Sequence, residues 1–541
     1  MTASVLLRTM VMIFSGAGIA VGAESSVPKA NGWPGTLIIV GGGSVPDDVL
    51  SALKESLHGE GSLVVIAEAA SDPKEAAESS AKWLAESGIS NVVVVDPSLA
   101  ESERGLLTVA AIDSASAVWI CGGQQSRLAT TFAESGVEGA LQRLLQRGGT
   151  VGGTSAGAAI MTMVMIASGK EQPEMSEGWD LLQGAIVDQH FTNRNRLARL
   201  QIAVGMHAEC LGIGIDEGTA VFIHGRQLRV TGRDSASVVL AKTDYRDAEV
   251  LRLVAGEVSD LTQLRRAARQ RASRVDPGEP QYGSPEVQSG SLVIVGGGAM
   301  TEDVVQRFVE LAGGESANIV VLPTAMSREE TSDQTPNFLK QESVANITVL
   351  TQRGPDEVTS EEFRSSLKAA TGIWFGGGRQ WNFVDAYEGT EAIELFRDVL
   401  RRGGVIGGSS AGATIQGEFL VRGHPQGNSV MMAEGYERGF AFLPGMAIDQ
   451  HFSQRDRLPD LLPVIRRHPK MVGVGIDEGT AIVVTGTKVE VIGQNSAHFV
   501  SAKQLMSIAA EDELPSTAEE AAKLYVTIKT GESGDLKALS Q

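Results

Sequence analysis

Cysteine is nearly absent: Cys121 and Cys210 are the only two in 541 residues. No disulfide framework can therefore carry the fold, their spacing matches no metal or redox motif, and buried free thiols are expected. Aromatic residues make up 5% of the chain, too few to suggest a glycan-binding surface of stacked rings. Positive charge is also short, with 46 Lys and Arg against 66 Asp and Glu and a net charge of −20. That balance argues against a nucleic-acid partner, whose phosphates need clustered cations. Long apolar runs are missing everywhere except the N-terminus. There, Arg8 precedes an apolar stretch over 9–21, and small residues at Val21 and Ala23 precede Glu24. Residues 1–23 read as a signal peptide, too short to span a bilayer comfortably, so the chain is expected to be secreted or periplasmic with no stable membrane insertion after processing.

What is present points to a globular protein of more than one domain. Apolar residues at 42% and charged residues at 21% are ordinary for packed domains. A chain of 541 residues exceeds the roughly 250–300 at which a single core stops growing. The division is written in the sequence as a repeat. Gly35-Thr-Leu-Ile-Ile-Val-Gly-Gly-Gly43 returns as Gly290-Ser-Leu-Val-Ile-Val-Gly-Gly-Gly298, a shift of 255. The same shift relates Gly152-Gly-Thr-Ser-Ala-Gly-Ala158 to Gly407-Gly-Ser-Ser-Ala-Gly-Ala413, and Gln125 to Gln380. Beyond the serine the shift becomes 261, as Asp188-Gln-His-Phe191 returns at Asp449 and Gly214-Ile-Asp-Glu-Gly-Thr-Ala220 at Gly475, so the second copy holds a net insertion of six residues. The predicted organisation is a domain over 35–266, an exposed linker over 267–289 that includes Asp276-Pro-Gly-Glu-Pro280, and a second domain over 290–541.

Within the first copy, buried-strand runs at 37–40, 63–66, 92–95, 117–120 and 150–151 alternate with helical patterns such as 73–87. Such alternation predicts an α/β class with a largely parallel sheet, helices on both faces, and functional loops at the strand C-terminal ends. Alternating apolar and polar residues over 220–230 and 481–492 predict a hairpin in each copy.

Gly153-Thr-Ser155-Ala-Gly157 and Gly408-Ser-Ser410-Ala-Gly412 each follow a buried strand and precede a helix-compatible run, the pattern of a nucleophile elbow. A serine hydroxyl needs a base. Of eight histidines, only His190 with His451 and His207 with His468 repeat, and only the first pair keeps its Asp-Gln-His-Phe setting. The base needs an orienting acid: Glu217 and Glu478, each 27 residues after its histidine, compete with the adjacent Asp216 and Asp477. Candidate oxyanion donors are the amides of Ala156 and Ala411 and the glycine pairs Gly122-Gly123 and Gly377-Gly378. No P-loop or complete dinucleotide fingerprint follows the glycines, and no cofactor or metal is implied. Arg194, Arg196 and Arg199 trail His190, matched by Arg455, Arg457 and then Asp460. Two readings stand side by side, surface arginines on a helix or guanidinium groups that grip substrate carboxylates.

Together these residues resemble cyanophycinase, of the serine peptidase family S51 that also contains the α-aspartyl dipeptidases, over most of both halves. The resemblance implies two tandem glutamine-amidotransferase-like (flavodoxin-like) three-layer domains. It also implies hydrolysis of cyanophycin, a polyaspartate whose side-chain carboxyls carry arginine, to β-Asp-Arg dipeptides through an acyl-enzyme. Carried over, the triads are Ser155, His190 and Glu217, and Ser410, His451 and Glu478, with Gly123, Ala156, Gly378 and Ala411 as oxyanion donors. The implied pocket residues are Gln125, Asp188, Gln189, Arg194, Arg196 and Arg199, and Gln380, Asp449, Gln450, Arg455 and Arg457. The family resembles single-domain homodimers, so the fused halves are expected to pack as an internal pseudo-dimer. Asp460 departs from the pattern, reversing the charge where a third arginine stands in the first copy, and predicts a weaker second pocket. The alternatives are a peptidase of other aspartyl or isoaspartyl peptides and a non-catalytic binding protein on the same fold.

Overall fold

The computed structural model describes residues 32–59, 61–506, 508 and 514–540; the expected signal peptide lies outside them. Each half is built on an eight-stranded sheet. In the first half the strands Leu63–Ile66 and Ala117–Ile120 fall where the apolar runs end, flanked by Thr36–Val40, Val92–Val94 and Thr150–Thr154. These five pair in parallel, and the hairpin Thr219–His224 with Gln227–Gly232 extends the sheet antiparallel from Thr36–Val40. Side chains on a strand alternate between faces. Leu37 and Ile39 accordingly pack with Leu141 and Leu144 of the helix Val137–Gln146, while Ile38 and Val40 pack with Val49 and Leu53 of Asp47–Ser56 on the other face. Strands buried on both faces explain the unbroken apolar runs.

The second half repeats the plan around Val287–Val295, Asn318–Leu322, Asn346–Val349, Gly372–Phe375 and Val405–Ser409, again mutually parallel. Each half adds a smaller sheet in which two parallel strands, Ala185–Gln189 with Leu211–Ile215 and Leu443–Gln450 with Val472–Ile476, end in register. That pairing brings the chain just after Gln189 beside the chain just after Ile215, and likewise for Gln450 and Ile476. Among the described residues no helix is long and apolar enough to cross a membrane. Cys121 and Cys210 are buried free thiols, and burial pushes their pKa values up to about 11 and about 12.

The segment expected as an exposed linker departs from that expectation. The helix Leu261–Ala272 runs across position 267 and buries Ala267, Ala268 and Arg271, and the next strand already begins at Val287. Its Arg, Pro, Gly and Gln content suggested solvent, but Arg266 and Arg271 of the helix pair with Glu388 and Glu434 of the other half. Arg271 Nε donates to Glu434 Oε1 at 2.5 Å, and Arg246, earlier in the first half, places its Nη1 3.0 Å from Glu434 Oε2.

Candidate active sites

Ser155 follows the strand Thr150–Thr154 and precedes the helical turn Ala156–Ala159, at φ 52° and ψ −110°. Ser410 is its counterpart at 57° and −112°. Such a conformation costs a non-glycine residue on the order of 1–3 kcal/mol and persists only where surroundings impose it. Here the Ser155 amide donates to Val40 O at 3.0 Å, and the Ala158 and Ala159 amides both bond Ser155 O. The turn is so tight that a Cβ on Gly153 would stand 2.4 Å from Gly157 O, which makes the glycines of the motif obligatory.

His190 leaves the strand Ala185–Gln189 at φ 50°, its amide donating to Gly41 O at 2.7 Å. Its Nε2 lies 2.9 Å from Ser155 Oγ and its Nδ1 2.6 Å from Glu217 Oε1. In the second half Ser410 Oγ stands 3.0 Å from His451 Nε2, and His451 Nδ1 2.5 Å from Glu478 Oε1. Burial holds both imidazoles below the ordinary histidine pKa, against the opposing pull of Glu217 or Glu478. The neighbouring arginines, Arg194 and Arg196 or Arg455 and Arg457, add to the lowering. A neutral imidazole beside a hydroxyl can take its proton.

The competing aspartates are occupied elsewhere. Asp216 accepts from Thr192 N and Oγ1 at 2.9 and 2.7 Å and from Ser235 Oγ at 2.8 Å, so it pins the turn behind the histidine. Asp477 accepts from Ser453 N at 3.0 Å and lies 3.3 Å from His498 Nε2. The other repeated histidines do not join the serines. His207 pairs loosely with Glu209 at 3.5 Å, and His468 is buried against Gly278 and Phe419.

The glycine pairs lie beside the nucleophiles: a Cβ on Gly122 would be 3.4 Å from Ser155 Cβ, and one on Gly377 3.6 Å from Ser410 Cβ. Gly123 and Gly378 take φ +144° and +145°, with a Cβ position 2.1 Å from Ala69 O and 2.5 Å from Ala325 O respectively, so neither tolerates a side chain. Ala156 and Ala411 open their helical turns, and a first helical amide has no acceptor within its own helix. Motif reading overlooked Gly42 and Gly297. A Cβ on either would sit 2.3 Å from the Cε1 of His190 or His451, so these two glycines are the floor on which the imidazoles rest.

The arginines divide sharply. Arg194 and Arg455 are exposed, and among the described residues neither side chain has a hydrogen-bond or ion-pair partner. Arg196 instead turns inward, donating to Asp188 Oδ1 at 3.1 Å and Gln189 O at 2.6 Å; Arg457 does the same to Asp449 and Gln450. Arg199 and Asp188, expected in the pocket wall, are buried and spent on each other. Arg199 Nε donates to Asp188 Oδ2 at 2.9 Å, Nη2 to Oδ1, and Nη1 to Gly169 O, leaving no fork for a substrate. Gln125 and Gln380 are also buried and hold chain carbonyls, Ile166 O at 2.6 Å in the first half and Val421 O and Arg422 O at 3.0 and 2.7 Å in the second.

The charge reversal at Asp460 has a structural counterpart that the sequence reading missed. Arg422, from the segment before the histidine strand, pairs with Asp449 as Arg199 pairs with Asp188 in the first half. Its Nε donates to Asp449 Oδ1 at 3.0 Å, its Nη2 to Asp449 Oδ2 at 3.0 Å and Asp460 Oδ2 at 2.6 Å, and its Nη1 to Asn428 O at 2.8 Å. The expected weakening of the second pocket rested on a lost cation, and the cation is present. Arg422 lies where the two copies fall out of step, so no repeat could have flagged it.

A hydroxyl, an imidazole and a carboxylate in line, with a strained serine at the carboxyl edge of a mainly parallel sheet, define the serine-hydrolase class of α/β architecture. Comparison with known proteins narrows this. The profile described as peptidase family S51 matches residues 37–231 and 292–492. A cyanophycinase of Geminocystis herdmanii is 31% identical over 238 residues, covering 41% of this chain and 87% of the relative; one of Trichormus variabilis is 37% identical over 234 residues, covering 41% and 77%. Among solved structures, a peptidase from an acI-B1 Actinobacterium aligns with a TM-score of 0.35 and 19% identity over 42% of this chain and 98% of its own. The chain belongs to peptidase family S51 and is a serine peptidase with two tandem copies of the family's domain.

Proposed function

We propose that the protein is a secreted or periplasmic exopeptidase that hydrolyses cyanophycin to β-Asp-Arg dipeptides, with one Ser-His-Glu site in each half. The observation that carries this reading is the pair of matching hydrogen-bonded lines, Ser155–His190–Glu217 and Ser410–His451–Glu478, in a chain similar to cyanophycinases. His190 Nε2 takes the Ser155 proton as Oγ bonds the scissile carbonyl carbon. The oxyanion faces the amides of Gly123 and Ala156, and Glu217 stabilises the imidazolium. The imidazolium then protonates the leaving nitrogen as the C–N bond breaks, and a water deprotonated by His190 releases the acyl group from Oγ. His451, Gly378, Ala411 and Glu478 act likewise on Ser410. Arg194 and Arg455, exposed beside the two histidines and unpaired among the described residues, would receive a substrate carboxylate, while Arg196 and Arg457 order the strand end that carries Gln189 or Gln450.

Mass spectrometry of the soluble products from purified cyanophycin tests this reading. β-Asp-Arg should accumulate and vanish in the Ser155→Ala, Ser410→Ala double variant, whose loss should be on the order of 10⁴–10⁶-fold. A double variant retaining a tenth of the activity overturns the nucleophile assignment. Release of dipeptide only from soluble aspartyl or isoaspartyl peptides would move the substrate class, and failure of a fluorophosphonate to label either serine would point to a binding protein.

A further inference from the structure

The two sites are not equally self-contained. The segment 420–438, which delivers Arg422 to Asp449, is fastened to the first half. Glu434 receives Arg271 through both Nε and Nη2, at 2.5 and 2.8 Å, and Arg246 at 3.0 Å. Glu437, only 1% exposed, receives Arg246 and Gln270. Gly435 bonds Gln270 through its amide and Arg266 through its carbonyl, at 2.9 Å each, and a Cβ there would stand 2.7 Å from Gln263 O. A second tie reaches the helix Gln380–Tyr387, whose first residue holds the carbonyls of Val421 and Arg422: Arg226 donates to Asp385 at 2.9 Å and to the hydroxyl of Tyr436 at 3.1 Å. The corresponding first-half parts are different. Arg199 arrives on the helix Leu197–Met206 of its own half, and among the described residues the hairpin Val164–Ser168 with Glu174–Glu177 has no ion pair to the second half.

We propose that the first half is a positioning element for the second site, and that Glu434 and Glu437 are positioning residues that act through Arg422 and Asp449 on His451. Acids at most 13% exposed, held by arginines of another domain at most 11% exposed, fix the path of the segment between them. Asp449 is two residues from His451 and bonds the Gln450 amide at 2.9 Å, so the register of Arg422 reaches the imidazole through one short stretch of chain. The dependence runs one way, from first half to second site. The inference rests on the triad reading above.

The test uses the full chain with one site silenced. In the Ser155→Ala background, Glu434→Gln with Glu437→Gln keeps side-chain shape while removing both charges. It should lower the second-site kcat by about tenfold or more, because displacing a catalytic group by about 1 Å costs on the order of 100-fold. The rate constant for fluorophosphonate labelling of Ser410 should fall with it, while labelling still reaches one probe per chain. The same pair in the Ser410→Ala background should leave the first-site kcat within about twofold. Equal loss at both sites, or a reduced labelled fraction at an unchanged rate constant, marks general destabilisation and overturns the proposal, as does an unchanged second site. Arg271→Lys, which keeps a cation opposite Glu434 but gives up the two-point contact, should lower the second-site rate less than the glutamine pair does; loss as deep as in the glutamine pair counts against it. If Ser410 is unreactive in the unaltered protein, the triad reading fails instead, and the two failures are told apart.

Discussion

Arg422 is where the structure makes its sharpest demand. Asp449 is fully buried, and three of the hydrogen bonds that keep its charge tolerable come from this one guanidinium, the remainder being Arg457 at 3.3 Å and the Gln450 amide. Arg422→Met preserves volume and apolar stem but strands the carboxylate. Removing one partner of a buried ion pair costs about 3–5 kcal/mol. Since Asp460 is 42% exposed and Arg457 remains, the lower end, about 3 kcal/mol, is the appropriate figure, and it corresponds to a loss on the order of 100-fold in the population of the ordered pocket. The assay is second-site kcat/KM in the Ser155→Ala background. Asp460→Arg alone should not help, because it sets a second guanidinium against the first; second-site activity should hold or fall. Combined with Arg422→Met, however, it rebuilds the first-half arrangement, in which the cation reaches the aspartate from position 199, and should recover at least tenfold over Arg422→Met. An increase from Asp460→Arg alone would mean that position 460 lacks a cation the substrate needs. A double variant no better than Arg422→Met would mean that the two arginines are not equivalent.

Glu217→Gln and Glu478→Gln should each lower kcat at their own site by on the order of 10⁴-fold with little change in KM, because the imidazole loses its charged partner. Asp216→Asn should instead lower thermal stability, since its bonds go to Thr192 and Ser235, and the reverse pattern would swap the roles. Because burial holds His190 and His451 below the ordinary histidine pKa, they stay neutral and basic into mildly acidic solution, and the acid limb of the kcat/KM profile should lie below that ordinary value; a limb above it would contradict the reading. Burial lowers His468 to about 4, so between about 6.5 and 4 the unfolded chain binds a proton that the folded one refuses. Stability should therefore fall as pH drops through that window, by up to about 3 kcal/mol, and His468→Phe, which keeps the packing on Phe419, should flatten the fall in Tm between pH 7 and pH 4.5.

The sheet was legible because its strands are buried on both faces and so spell continuous apolar runs; the predicted limits at 63–66 and 117–120 coincide with the strands. The elbows were legible because glycine is imposed on each side of the serine by backbone contacts under 2.5 Å. Less legible was anything decided by which way a charged side chain turns. Arg194, Arg196 and Arg199 look alike in sequence, yet the first is exposed, the second bonds the chain beside the histidine, and the third is buried on Asp188. The helix Leu261–Ala272 was hidden for a related reason. Arg266 and Arg271 suggest solvent until the acids that pair with them, Glu388 and Glu434, are brought in from more than a hundred residues away.

The change of shift from 255 to 261 is the one trace of this in the sequence, and it records a length without its content. A buried carboxylate beside the histidine strand must be paired with a cation in either half, because isolated charge in a low-dielectric interior is too costly to keep. The first half meets that demand from the helix after His190 and the second from the segment before His451, and in the second the helix position, freed of the demand, carries Asp460. What the two copies share at this point is thus a requirement of Asp188 and Asp449 rather than a residue at a matched position. A site residue carried across by alignment is secure where backbone geometry forces it, as at Ser155 and Ser410 or Gly42 and Gly297. It is insecure where only charge balance does, and there the balance has to be closed over every element that faces the buried group.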